Sequence, residues 1–255
     1  MTDRRLVTPF FLDHPSLPHR GLAGDWLNDA TLRDGPVMER LAAIQAPLAA
    51  EVERTVASGD RPVSIAGDCC AVIPVIAGLQ RAGLAPRLLW LDAHGDFNTP
   101  ATSPSGFLGG MPLAMLVGRG DQDLLRALGM EPMDERDVVL CDARDLDPRE
   151  RTAIEGSKVR HVRSFDRLLD ERLDDRPLHV HLDVDILSLE DAPAVLYPVP
   201  GGPRVSALRE LGRRLNAARA PVSVSVTTWV FDRDADGGTA TACLDALDGL
   251  LGAER

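Results

Sequence analysis

The chain has 255 residues, 44% hydrophobic and 26% charged, with 39 acidic against 28 basic side chains and a formal net charge of -11. That length can bury a large core, and the acidic excess argues against nucleic acid as a partner, because neutralising phosphates takes a basic face. No run reaches the ~18 uninterrupted apolar residues of a membrane span, and Met1-Thr2-Asp3-Arg4-Arg5-Leu6 lacks an apolar leader, so a cytoplasmic protein is expected.

The apolar runs fall at intervals along the chain. Val63-Ser64-Ile65-Ala66, Leu88-Leu89-Trp90-Leu91, Val138-Val139-Leu140-Cys141, Val180-His181-Leu182 and Val222-Ser223-Val224-Ser225-Val226 read as buried strands. Between them, residues 70–81, 111–117, 205–218 and 239–251 carry helical periodicity, with Met111, Met115 and Leu116 expected in the core. Alternating strands and helices predict an α/β protein, a three-layer α/β/α sandwich around a central, mostly parallel sheet. With no repeat, low-complexity tract or linker, residues 1–255 read as one domain. Cys69, Cys70, Cys141 and Cys243 form no CxxC and read as reduced thiols.

In open parallel sheets, ligands gather beyond the carboxyl ends of the strands. Three apolar runs end directly in polar residues: Gly67-Asp68-Cys69, Asp92-Ala93-His94-Gly95-Asp96 and Asp183-Val184-Asp185. Side chains alternate along extended chain, so Asp92, His94 and Asp96 share a face, as do His181, Asp183 and Asp185. Four carboxylates converging on one place repel unless cations neutralise them. Two divalent ions carry the four positive charges that balance Asp92, Asp96, Asp183 and Asp185.

Those segments resemble the ureohydrolases: arginase, agmatinase, guanidinobutyrase and formimidoylglutamase. Their GGDHS, DAHxDxN and SxDxDxxDP motifs correspond, in order, to Ala66-Gly67-Asp68-Cys69-Cys70, to Asp92-Ala93-His94-Gly95-Asp96-Phe97-Asn98 and to His181-Leu182-Asp183-Val184-Asp185. Gly110-Met111-Pro112, Arg144-Asp145-Leu146-Asp147-Pro148 and Pro198-Val199-Pro200-Gly201-Gly202 also match, and the resemblance spans about residues 60 to 250. It implies an arginase-like fold, a homo-oligomer (trimer or hexamer) and two Mn(II) ions. Asp92 and Asp183 would bridge both ions, Cys69 and Asp96 would complete one, and His94 and Asp185 the other. A hydroxide activated by the ions would attack the central carbon of a guanidinium or amidine, with Asp96 passing its proton to the leaving amine. Asn98, Ser105 and Asp147 would line the substrate pocket, and Asp68 would support the ligands.

Four positions depart from the family pattern. Cys69 replaces a ligand histidine, and a thiolate suits Zn or Fe better than Mn. Gly109 replaces a histidine used for proton transfer; His181, in place of a serine, is a candidate substitute acid/base or a support for the ligands. Thr228 stands where relatives clamp the guanidinium with glutamate, and Phe107 where an asparagine reads the amino-acid carboxylate. The expectation is a metal-dependent hydrolase of linear, non-peptide C–N bonds in a small guanidino, ureido, amidine or amide compound other than L-arginine, with Trp229 and Phe107 as apolar walls. The alternative is an inactive relative that binds ligands or assembles with a partner. His14, His19 and His161 have no ligand context and are expected at the surface.

Overall fold

The computed structural model describes residues 1–16, 22–169 and 176–253. In chain order its elements are β1 (Asp3–Thr8), β2 (Phe10–Phe11), β3 (His14–Pro15), β4 (Trp26–Leu27), α1 (Val37–Ala57), β5 (Arg61–Ala66), α2 (Val72–Arg81), β6 (Arg87–His94), α3 (Pro112–Leu116) and α4 (Asp123–Leu128). They continue with β7 (Val138–Asp145), α5 (Pro148–Glu155), β8 (Arg160–Val162), α6 (Phe165–Leu169), β9 (Leu178–Asp183), α7 (Val205–Arg219), β10 (Ser223–Thr227) and α8 (Gly238–Leu251). All five strands and all four helices read from the sequence are present, with ends shifted by a few residues.

Eight strands form one parallel sheet in the order β4-β1-β5-β10-β9-β6-β7-β8. Period-two alternation sends neighbouring side chains into two separate cores. Leu88 and Trp90 pack with Leu41, Leu48, Ile73 and Ile76 of α1 and α2. Leu89 and Leu91 pack with Leu208, Leu211, Leu247 and Leu250 of α7 and α8. Helices therefore cover both faces, and the three-layer α/β expectation holds. No helix among the described residues is long and apolar enough to cross a membrane.

The order explains where a ligand can sit. The chain passes from β5 to β6, skipping two places, and those places are later filled by β9 and β10. A crevice beyond the strand ends is the usual consequence of such a reversal. Register places Ser64, Ser225, His181 and Trp90 in one row across β5, β10, β9 and β6, with Thr227 beside Asp183 one pleat higher.

Two close approaches are set by glycine. The β2–β3 hairpin crosses over Gly67, where a Cβ would lie 2.3 Å from the Phe10 carbonyl oxygen. In the outer layer, α7 meets α8 so tightly that a Cβ on Gly212 would lie 2.0 Å from the Gly249 carbonyl oxygen.

Candidate active site

Three acidic side chains at the sheet edge, Asp68, Asp92 and Asp183, are each aimed by a backbone N–H of their own turn, the local bonding that Asp favours where a strand ends. Asp68 accepts from the Cys70 amide at 2.9 Å and from the Leu12 amide at 2.6 Å, which ties the hairpin to the β5 end. Asp92 accepts from the His94 amide at 2.7 Å, and Asp183 from the Asp185 amide at 2.9 Å. The indole N–H of Trp90 donates to the other Asp92 oxygen at 2.9 Å. Arg144 donates to the carbonyls of Asp185, Ile186, Val199 and Pro200, clamping the 198–202 turn against the β9 end.

These contacts bring the expected ligands together. Asp92, Asp96, Asp183 and Asp185 are all buried. His94 Nδ1 lies 3.0 Å from Asp185 Oδ2 and 3.5 Å from Asp92 Oδ1, and one donor atom from each of these residues lies within 4.8 Å of the others. A second such trio is Cys69, Asp92 and His181. Cys69 Sγ also lies 2.9 Å from Asp183 Oδ2. Asp96 faces the same cavity but belongs to neither trio.

Electrostatics tests whether this donor set suits cations. Burial pushes Asp92 up to about 6, with the Asp185 charge adding to it and His94 opposing. Burial, then the mutual repulsion of Asp92, Asp183 and Asp185, pushes Asp96 and Asp183 well above the usual carboxylate range. Burial alone would depress His94, yet its bonds to Asp185 and Asp92 push it up to about 12. A proton on His94 thus holds together the three groups that a divalent ion would hold by coordination. Buried oxygens short of positive charge, facing an imidazole, fit divalent metal ions.

The cavity above these residues measures about 620 Å³, and Asn98, Ser105, Asp147 and Thr228 all line it. Asn98 donates to Asp147 at 3.0 Å, and Ser105 accepts from the Phe107 amide at 3.2 Å. The Thr228 hydroxyl donates to Asp183 from a backbone with φ 71°, a strained conformation for a β-branched residue. Its polar group is therefore engaged below the pocket.

Three expectations need correction, at His181, Trp229 and His161. His181 is fully buried and does not line the cavity, so it cannot meet substrate as an acid/base. Trp229 is 2% exposed and packs on Phe231; Phe107 lines the cavity as expected, joined by Phe11 and Tyr197, with Phe107 5.7 Å from the Tyr197 ring. Asp68 reaches the cavity but spends its oxygens on backbone amides. His161 is half-buried on the Asp142 carbonyl rather than free at the surface; His14 is exposed, and His19 lies outside the described residues.

The changes at 107 and 109 form one unit, because a Cβ at Gly109 would lie 2.4 Å from the Phe107 ring. Glu150 escaped the sequence reading: it accepts from the Phe97 amide at 2.9 Å and closes a capping box with Asp147. Asp147-Pro148-Arg149-Glu150 carries that signal. Phe11 and Tyr197 carried none.

The arginase-family model matches residues 15–250. Arginase from Bacillus subtilis is 36% identical over 187 residues, which are 69% of this chain and 62% of that protein. Arginase from Brevibacillus brevis is 38% identical over 168 residues, 61% of this chain and 56% of that protein. The matching segment thus spans about three fifths of these relatives' length. The crystal structure of Bacillus subtilis arginase superposes with a TM-score of 0.86 at 27% identity, covering 100% of this chain and 99% of that one. The chain belongs to the arginase family.

Proposed function

We propose that this chain is a metal-dependent hydrolase of guanidino-type C–N bonds. The observation that carries the reading is the buried cluster of Asp92, Asp96, Asp183 and Asp185 with His94, of which all but the fully buried Asp92 line one cavity. Asp92, His94 and Asp185 would hold one divalent ion, and Cys69 with Asp92, Asp96 and Asp183 face the place for a second. Bound ions neutralise these carboxylates and lower the pKa of a water among them toward neutrality.

The chain's own groups supply the rest. Asp96 lines the cavity without joining either ligand trio, which leaves its carboxylate facing the space where substrate would sit. It is placed to take a proton and deliver it to the leaving amine nitrogen. Asn98 and Asp147 offer a fixed polar pair on one wall. Phe11, Phe107 and Tyr197 form an aromatic part of the lining that would contact the apolar part of a substrate.

The substrate proposed is a guanidino, ureido or amidine compound with a weakly polar tail. Thr228 is engaged by Asp183 and offers a planar cation no charged clamp. Named relatives are arginases, which makes L-arginine the reference compound. The test is ammonia and urea release from a panel that includes it, with Mn(II), Zn(II) and Fe(II) each supplied. Turnover of a weakly polar guanidino compound ahead of L-arginine supports the proposal, and preference for L-arginine overturns the substrate assignment. No turnover with any metal overturns the hydrolase reading.

A further inference from the structure

We propose that Cys69, Asp92 and His181 form a soft-metal site in which strand β9 supplies the imidazole. The inference rests on the metal-dependent reading above and deepens it. It assigns His181 a role as a ligand, approached from beneath the cavity.

Three observations converge. Sγ of Cys69, a carboxylate oxygen of Asp92 and a ring nitrogen of His181 all lie within 4.8 Å of one another, and all three residues are buried. Among the described residues, His181 Nε2 is a buried ring nitrogen without a hydrogen-bond partner, in a side chain that is 0% exposed. Buried polar atoms in native proteins are otherwise almost always paired, so a bare nitrogen on a ring that lies beside a thiol and a carboxylate calls for a ligand.

The neighbouring polar residues can hold that nitrogen in the form a metal needs. His181 Nδ1 lies 2.9 Å from Ser225 Oγ, Ser225 Oγ lies 3.0 Å from His179 Nε2, and His179 Nδ1 lies 2.6 Å from Ser223 Oγ. Two directions of donation satisfy all three links, and the one that suits a metal ligand runs outward from His181. His181 Nδ1–H donates to Ser225, whose hydroxyl donates to His179 Nε2, while His179 Nδ1–H donates to Ser223. That direction leaves His181 Nε2 as a lone pair, and the reverse leaves it as a buried N–H with no acceptor. Ligand imidazoles are typically held through the other ring nitrogen in this way.

Charge selects the ion. One thiolate, one carboxylate and a neutral imidazole carry two negative charges, which match a single divalent cation. Sulfur and imidazole favour Zn(II) or Co(II) over Mn(II). Cation binding releases the Cys69 thiol proton to solvent, and the Asp183 oxygen that lies 2.9 Å from Sγ becomes free to coordinate.

The test is titration of metal-free protein with Co(II), reading thiolate-to-cobalt charge-transfer absorption and affinity in the wild type, Cys69→Ser, His181→Ser and His94→Ala. The expected result is a charge-transfer band in the wild type and in His94→Ala, its loss in Cys69→Ser, and Co(II) binding weakened by about 10- to 100-fold in His181→Ser. Wild-type affinity and spectrum in His181→Ser would overturn the inference. X-ray absorption of the Zn(II)-loaded wild type needs no variant: one sulfur with a nitrogen shell supports it, and an all-oxygen shell overturns it. Turnover of guanidino compounds with Mn(II) but no thiolate signature sinks this site alone. The thiolate signature without turnover of any compound sinks the hydrolase reading and leaves the site standing.

Discussion

Strands β6, β9 and β10 present two faces built by the same alternation, and the faces differ in kind. Toward α7 and α8 they send Leu89, Leu91, Val180, Leu182, Val224 and Val226, an apolar layer that only packs. Toward α2 they send Trp90, Asp92, His179, His181, Asp183, Ser223, Ser225 and Thr227, a stripe that is just as buried but polar. The first face stabilises through area removed from water. The second is costly to bury unless every member is bonded or bound to something, and it rises into the cavity. Burial alone therefore does not separate structural from chemical residues here; the partner of each polar atom does.

Substitutions on the two faces should separate stability from chemistry. The largest effect is expected at Asp92, common to both ligand trios. Asp92→Asn should remove several kcal/mol of charge stabilisation and lower turnover by about 1000-fold. The metal-free melting temperature should not fall, because a buried charge has gone. On the opposite face, Leu182→Ala should cost about 2–5 kcal/mol by denaturant unfolding with turnover per folded molecule unchanged. If Leu182→Ala abolished metal binding without unfolding the chain, the two faces would not be separable.

Farther from the site, Gly212→Ala forces a Cβ to within 2.0 Å of the Gly249 carbonyl. It should destabilise by about 1–3 kcal/mol while metal affinity, read by equilibrium dialysis, stays at the wild-type value. Trp90→Phe keeps the ring packing and deletes the N–H that donates to Asp92. It should weaken metal binding by about 10-fold with little change in melting temperature, and wild-type affinity would show that Asp92 needs no such support.

The smallest effect is a pH dependence. Asp92 is raised to about 6 by burial and the Asp185 charge. A carboxyl raised on folding stabilises the metal-free protein below its unfolded pKa, and that contribution is lost as pH rises through the folded value. Cations need the ionised form, so their effect has the opposite sign. The gap in melting temperature between Mn(II)-loaded and chelator-treated protein should widen as pH rises through about 6. A gap that is constant across that window contradicts a carboxylate cation site.

Much of the candidate site was legible because Asp and His directly follow apolar strand runs, although the period-two spacing does not persist: β6 breaks register between Asp92 and His94, Asp96 has φ 48°, and Val184–Ile186 form a 3-10 turn. The five strands read in advance are those with short aliphatic runs. β1 and the long α1 escaped: β1 opens Asp3-Arg4-Arg5, and α1 carries Pro47 within its Leu41, Ile44, Leu48 and Val52 stripe. His181 lies on the face that alternation predicts, and its depth excludes the acid/base role but not the supporting one. Alternation fixes a side chain's direction, whereas its depth below the cavity depends on which strands flank it. The aromatic wall was legible only at Phe107, because Phe11 and Tyr197 lie far from it in the chain and meet it only through the loops around the sheet edge.

The most direct test is anomalous diffraction at the manganese edge from crystals grown with Mn(II). The predicted result is an anomalous peak bounded by Asp92, His94 and Asp185. Crystals with ordered side chains at that edge and no anomalous signal between them, at saturating Mn(II), would contradict a cation-holding site.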